Sequence, residues 1–325
     1  MSAGAAAGGA GARLAHLPLP LFAVPMGIGG LGLAWREAGR VLGAPTLIGE
    51  GLLALTALLW AAIVALHALR AVHHPDALRA DLRHPVRAAF VGAVTIGLMI
   101  VAGGLIPHAP DLAAAIWLPA ALLHVAIAAV TVRDLLTAPR ESAALAPPLL
   151  IPLVGNILAP VFGVRLGFEA LSWMLFGIGA LLWAVLQPLL LGRLVTGPAL
   201  PPRLRPTLVI LLAPPAVGSL ALAQLSGGFG AAALAVFGLA LFFAIVVATL
   251  IGEFARSPFA MSWWGWTFPS AAFAAAALAA AHAYPAPWQA GPLWAALLAA
   301  TAIVVMVAAR TLRAAAAGHL LQPEG

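Results

Sequence analysis

The sequence predicts an all-α integral membrane protein with ten transmembrane helices, and three observations support that fold class. Hydrophobic residues make up 63% of the 325-residue chain and charged residues 8%, whereas a soluble domain carries about 25% charged residues. Mean hydropathy is +1.07. The apolar residues form blocks of about 20, the length that crosses a hydrocarbon core of about 30 Å. These properties exclude soluble enzymes and soluble nucleic-acid-binding proteins, and the expected surroundings are a lipid bilayer.

Short polar breaks separate the apolar blocks, and none of these breaks is long enough for a soluble domain. The small-residue leader 1–16 is predicted as a disordered cytoplasmic tail, 17–313 as one transmembrane domain, and 314–325 as a second cytoplasmic tail. The longest break, 71–86, is polar. The ten predicted spans, in chain order, are 18–35, 47–70, 87–106, 111–132, 147–163, 168–194, 206–225, 230–252, 262–282 and 288–312.

The arginines predict the orientation of these spans. Thirteen arginines lie in the two tails and in the loops after spans 2, 4, 6 and 8, whereas the opposite side holds three, Arg36, Arg40 and Arg165. Because positive loops stay on the cytoplasmic side, both termini are predicted to be cytoplasmic. A composition rich in Ala, Gly, Pro and Arg without Lys is typical of a GC-rich bacterial genome, so the predicted location is the cell inner membrane.

Prolines interrupt four of the odd-numbered spans at a regular spacing. Pro25, Pro152, Pro214 and Pro269 are separated by 127, 62 and 55 residues, which suggests a repeating unit of one helical hairpin and five hairpins in all. Span 3 has no such proline and offers Thr95 instead. Broken helices are tolerated where they line a cavity, so the odd helices are predicted to face inward and the even helices to face lipid. The alternative is that prolines are simply common in membrane helices.

The ionisable residues favour anions over cations. No carboxylate lies at the centre of a predicted span, which argues against a carboxylate proton relay and against an acidic cation filter. His73, His74 and His84 share the polar loop without the spacing of a metal site. His67 and His124 lie within even spans and are candidate proton sites. No catalytic residue, metal or cofactor is predicted, since the chain has no Cys, no Lys and no Ser–His or paired-aspartate motif at span depth.

Aromatic residues mark two features of the spans. An aromatic cluster opens the ninth span, Trp263-Trp264-Gly265-Trp266-Thr267-Phe268-Pro269, and it permits two interpretations. The first is a tryptophan anchor followed by a kinked helix; the second is a kink that turns Phe268 into a lumen as a plug. Five further tryptophans lie toward span ends and predict an interface belt: Trp35, Trp60, Trp117, Trp288 and Trp294.

Six segments, in order along nearly the whole chain, resemble a known family. They are LFAVPMGIGGLGLAW in span 1, HPVRAAF (84–90), LIPLVGN (150–156), LLWAVLQPLLL (181–191), LLAPPAV (211–217) and WWGWTFP (263–269). Their order and spacing resemble the tellurite-resistance/C4-dicarboxylate transporter family, which includes bacterial TehA-type channels, fungal malate permeases and the slow-type anion channels of plant guard cells.

The resemblance implies five helical hairpins around a quasi-fivefold axis, with odd helices lining a central pore and even helices forming an outer ring. It also implies a homotrimer with one pore per subunit, and a gate formed by Phe268. Arg87 is the expected charge at the cytoplasmic pore mouth. Thr95 departs from the proline that several members have in span 3. The expected pore-lining and kink residues are Phe22, Pro25, Thr95, Pro152, Asn156, Pro214 and Pro269.

Three functions follow as hypotheses. The first is an anion channel or carrier that passes small inorganic or organic anions through a pore gated by phenylalanine. The second is a proton-coupled carrier for malate-like C4-dicarboxylates, tellurite or sulfite, with His124 or His67 as the proton site. The third is a membrane enzyme, for which the sequence contains no constellation of catalytic residues.

Overall fold

Ten long helices build the computed structural model, which describes residues 14–138 and 144–322. Within these residues, eight helices are long and apolar enough to cross a membrane, and Pro147–Gly163 is a shorter apolar helix. Two short helices, Pro75–Arg83 and Ile251–Ala255, follow the second and the eighth of the ten. The ten helices are α1 (Leu19–Leu42), α2 (Thr46–His73), α3 (Ala88–Leu105), α4 (Pro110–Thr137), α5 (Pro147–Gly163), α6 (Glu169–Thr196), α7 (Pro202–Leu225), α8 (Ala231–Thr249), α9 (Met261–Trp266 continued by Thr267–Ala283) and α10 (Ala290–Ala316).

The helices pack as a ring of five hairpins. Each odd helix contacts the two neighbouring odd helices, and α9 closes the ring by packing against α1. Each even helix lies against its preceding odd partner and against the next odd helix around the ring. The predicted fold class, five helical hairpins arranged around a central axis, is therefore confirmed.

Burial separates the inner from the outer helices. In α1, α3 and α7, 83%, 72% and 67% of the most apolar window is buried, against 11% to 33% in α2, α4, α6, α8 and α10. Between their polar ends, the side chains that the outer helices expose are apolar, as a lipid environment requires, because lipid cannot satisfy polar groups. The predicted assignment of odd helices to the inside and even helices to the outside is confirmed.

Each inner helix begins as a tight 3-10 stretch and continues as an α-helix, and in α5 a second 3-10 stretch at Gly155–Leu158 interrupts the α-helix. The α-helical part begins at Ala23 in α1, Leu150 in α5 and Thr267 in α9, so that Pro25, Pro152 and Pro269 are its third residues. In α7 the pair Pro214–Pro215 fills positions two and three. A missing N–H costs least in the first turn of a helix. The prolines therefore mark where the α-helices begin, and they do not break helices in mid-course. In α3 the equivalent third position is Val94, one residue before Thr95.

The first helix extends seven residues beyond the predicted end at residue 35 and finishes at Leu42. Its polar end is stabilised because Arg36 forms an ion pair with Glu50 of α2 at 2.7 Å and donates to the carbonyl of Gly104 at 3.0 Å. Gly43, with a φ of 68°, then ends the helix in the left-handed conformation that glycine adopts readily. At the other end of the chain, α10 continues to Ala316, three residues past 313. Most of the predicted tail 1–16 lies outside the described residues.

The interface-belt prediction is wrong for two of the five tryptophans. Trp117 is completely buried and donates from Nε1 to the carbonyl of Ala159 at 3.1 Å. Trp35 is buried and donates to Thr301 Oγ1 at 3.1 Å. Trp288, by contrast, is exposed. Position near the end of a span fixes the depth of a side chain but not the direction in which it points, and here the direction is inward.

Candidate functional site

An apolar cavity of about 50 Å³ lies between the inner helices, and all five of them contribute to its lining. The lining includes at least one residue from each inner helix, for example Met26 (α1), Ile96 (α3), Gly155 (α5), Val217 (α7) and Phe268 (α9). The fifteen lining residues include no ionisable side chain. The centre of the ring is therefore electrically neutral, as the lack of mid-span carboxylates predicts.

The lining follows the pseudo-symmetry of the ring. Ile151, Pro214 and Phe268 all line the cavity, and each is the second residue of the α-helical part of its helix. The transition from 3-10 to α-helix thus lies at a similar depth in three different hairpins. Phe268 supplies the largest of these three side chains, so it occupies more of the central space than its counterparts.

Glycines of α1 make room for the Phe268 ring. A Cβ atom added at Gly30 would lie 2.9 Å from Phe268 Cδ2. At Gly27 an added Cβ would collide with Thr267 Oγ1 of α9, the hydroxyl of which donates to the carbonyl of Trp264 at 2.8 Å. The absence of side chains at these two positions lets α1 and α9 approach closely. Their spacing of three residues puts them on one helix face, and this spacing of small residues is visible in the sequence.

The tryptophans that open α9 are anchored inside the protein. Trp263 and Trp264 are 2% and 1% exposed. Trp264 Nε1 donates to Thr311 Oγ1 of α10 at 2.9 Å, and the Arg310 guanidinium lies 4.9 Å from the centre of the Trp263 ring. This cluster fixes the start of α9 against α10, which holds Phe268 in a defined direction.

Phe273, five residues beyond Phe268, points away from the cavity. Its ring stacks on that of Phe237 in α8, with centroids 5.9 Å apart and an interplanar angle of 17°. It does not contribute to the cavity lining. The two phenylalanines of α9 therefore have different surroundings, one facing the ring centre and the other an outer helix.

Arg87, the expected charge at the pore mouth, forms an ion pair. Its Nη1 lies 3.1 Å from Asp81 Oδ1, and the other oxygen of Asp81 accepts from Arg70 Nη2 at 2.7 Å. Arg70 is 2% exposed and also donates to the carbonyl of Ala15 at 3.1 Å. Two guanidiniums therefore share one carboxylate at this end of the ring. The charge of Arg87 is partly neutralised, and the cluster of Arg70, Asp81 and Arg87 keeps one net positive charge.

The remaining expected pore residues occupy several places on the inner helices. Pro214 and Pro269 line the cavity with Phe268, whereas Pro25 and Pro152 lie outside its lining. Phe22 stacks on His67 of α2, with ring centroids 4.8 Å apart.

Two polar residues expected in the pore are completely buried. Thr95 Oγ1 lies 2.6 Å from His124 Nδ1 of α4, and the Asn156 amide has no hydrogen-bond partner among the described residues. Neither residue contributes to the lining of the cavity. No group of three His, Asp or Glu side chains in residues 14–138 and 144–322 is placed to share a metal ion.

Comparisons with known proteins agree with this architecture. The family model of the voltage-dependent anion channels, SLAC1, matches residues 16–312. The chain is 27% identical to the S-type anion channel SLAH2 of Arabidopsis thaliana, over 82% of this chain and 53% of the relative. Identity is 25% to the guard cell S-type anion channel SLAC1 of the same plant, over 84% and 51%. It is 26% to the tellurite resistance protein TehA homolog of Haemophilus influenzae, over 61% of each chain.

The chain spans about half the length of the plant relatives it matches. These relatives are named as anion channels and not as enzymes. The family resemblance stated from the sequence is confirmed, because the family model covers all ten helices except the last residues of α10. This multi-pass membrane protein therefore belongs to the SLAC1 family of voltage-dependent anion channels.

Proposed function

We propose that this protein conducts small anions along the axis of the inner ring and that Phe268 closes the path. The observation that carries the proposal is the cavity to which all five inner helices contribute, with the Phe268 ring opposite Gly30. A benzyl group in a passage a few Å wide blocks ions sterically, and it also disfavours wetting. Channel conduction needs no catalytic group, which agrees with a lining free of ionisable side chains.

Charge at the end of the ring where the inner helices begin supports passage of anions. Because consecutive helices alternate in direction, all five inner helices begin at one end, where their N-termini contribute partial positive charge. The cluster of Arg70, Asp81 and Arg87 adds one net positive charge there. At the opposite end, burial lowers the pKa of the Arg165 guanidinium, and the nearby charges of Arg36 and Arg40 lower this pKa further. Arg36 and Arg40 are paired there with Glu50 and Glu37, which offset their charges.

Ion selectivity is the direct test of this function. With a neutral lumen and positive charge at the end where the inner helices begin, bi-ionic reversal potentials of the purified Phe268→Ala protein in bilayers are expected to follow the anion gradient. A unit charge a few Å away is worth about 4 kcal/mol at an effective dielectric constant near 20, enough to exclude cations. Reversal potentials that follow sodium or potassium would contradict the proposal.

A carrier of dicarboxylates, tellurite or sulfite is the second candidate, favoured by the match to a tellurite-resistance protein. A coupled carrier needs a driving gradient of its coupling ion, whereas a channel passes current under voltage alone. Anion current at equal pH on both sides of the bilayer therefore supports the channel, and its appearance only with a pH gradient supports the carrier.

The proposed location is the inner membrane of a bacterium, with both termini in the cytoplasm. Ten helices bring the termini to the same side, and thirteen of sixteen arginines lie on that side in the predicted topology. Reporter fusions at residue 325 and within 71–86 are both expected to report a cytoplasmic location. A periplasmic signal from either fusion would overturn the orientation.

We further propose a homotrimer with one pore per subunit, an assembly that the family resemblance implies. The exposed apolar faces of the outer helices are available for contact between subunits or with lipid. Light scattering, with the mass of bound detergent determined separately, would give the mass of the protein assembly. A monomer or dimer would contradict the trimer without affecting the proposed pore, which lies within one chain.

A further inference from the structure

We propose that His124 is a protonation site in the wall of the central cavity and that its protonated ring favours small anions there. The proposal rests on the anion conduction proposed above. In this proposal a residue of an outer helix binds the proton, and a small anion in the cavity supplies the counter-charge.

His124 belongs to the outer helix α4, yet it reaches the inner ring. Its side chain is completely buried. A Cβ atom added at Gly155 of α5 would collide with His124 Nε2 and would lie 2.8 Å from Ile96 Cδ1 of α3. Gly155 and Ile96 both line the central cavity. The imidazole therefore lies directly behind the cavity wall, at a point where α5 has no side chain.

The hydrogen bonds of Thr95 determine which ring nitrogen carries the proton. Thr95 Oγ1 lies 3.0 Å from the carbonyl oxygen of Gly92 and 2.6 Å from His124 Nδ1. Because a carbonyl only accepts, both contacts are hydrogen bonds when the hydroxyl donates to Gly92 and Nδ1–H donates to the hydroxyl. The Nε2 atom then keeps a lone pair, and it has no hydrogen-bond partner among the described residues. This lone pair is the proton acceptor.

Asn156 of α5 is a further buried polar residue. It follows Gly155 in α5 and is completely buried, and neither of its amide atoms has a partner within residues 14–138 and 144–322. Buried polar groups of this kind are commonly satisfied by ordered water.

No fixed charge near His124 would offset a positive ring. The helices packed against α4 at this depth, α3 and α5, carry no ionisable side chain. The other ionisable residues of α4 lie nine or more positions away from His124: Asp111, Arg133 and Asp134. The ionisable residues of α6, Glu169 and Arg193, lie toward the ends of that helix. A mobile anion in the cavity is therefore the available counter-charge, so occupation by a proton and by an anion favour one another.

The test measures chloride current through Phe268→Ala channels at equal pH on both sides. Lowering the pH from about 7 to about 4 is expected to raise the current at least about threefold, because the protonated ring attracts anions. Adding His124→Asn keeps an amide donor for Thr95 but removes the proton acceptor, and the current should lose this dependence on pH. His67→Asn, which removes a second buried histidine, is the matched control and should retain it.

Three outcomes would overturn the proposal: a pH response that survives His124→Asn, a response that His67→Asn abolishes, or no response in the parent channel. Absence of anion current in the parent at every pH would instead contradict the channel function. If His124→Asn fails to fold, Thr95→Val provides a second test. Loss of the hydroxyl removes an acceptor for the charged ring, so the midpoint of the pH response should move to lower pH. An unchanged midpoint would contradict the assignment.

Discussion

Replacing Phe268 with alanine is expected to raise anion conductance about tenfold or more above wild type, because the largest side chain in the cavity lining, an aromatic ring, is removed. The side chain lines the cavity and lies opposite Gly30, so its loss widens the passage directly. A phenylalanine that served only packing would behave differently. Truncating it would cost roughly 3–5 kcal/mol of stability and would give no current. Single-channel recording of purified protein, combined with size-exclusion chromatography, separates the two cases.

Phe273→Ala is the matched control on the same helix. Its ring stacks on Phe237 of the outer helix α8, so removing it leaves the cavity lining in place. We expect Phe273→Ala channels to remain closed. A well-folded Phe268→Ala protein as silent as wild type, or equal currents from both variants, would show that Phe268 is not the gate.

Replacing Asp81 with alanine is expected to lower the free energy of unfolding by about 3–5 kcal/mol, the usual cost of breaking a buried ion pair. Asp81 accepts from Arg70 at 2.7 Å and pairs with Arg87 at 3.1 Å. Without this carboxylate, the Arg70 guanidinium, which is 2% exposed, keeps its charge without a counter-charge. Thermal unfolding of the detergent-solubilised protein gives the measurement.

Asp76→Ala, on the same short helix Pro75–Arg83, is the control for this effect. Asp76 pairs with Arg79 at 2.8 Å, but both side chains are exposed to solvent. Exposed pairs contribute about 1 kcal/mol or less. Similar losses of stability in the two variants would mean that burial of the Arg70–Asp81 pair has no special importance.

The sequence alone sufficed for the fold class and for the division into inner and outer helices. Hydrophobic length predicts the spans because the free energy of transfer into lipid is a sum over neighbouring residues. The proline spacing indicated the repeat, although the structure places the prolines in the first α-helical turn and not in mid-helix. The end of α1 was missed because Arg36 is stabilised by Glu50, which belongs to another helix.

The surroundings of each site residue were decided by the tertiary structure. Phe268 was found from a motif, but only the packing of α9 on α1 shows that Gly30 accommodates its ring. Similarly, the sequence placed Arg87 at the pore mouth, whereas the fold pairs it with Asp81. It placed His124 at mid-membrane depth, whereas the fold directs Nε2 toward Gly155. Depth in the membrane depends on local hydropathy and can be derived from the chain itself. The direction in which a side chain points depends on how each helix is rotated against its neighbours, and distant residues set that rotation.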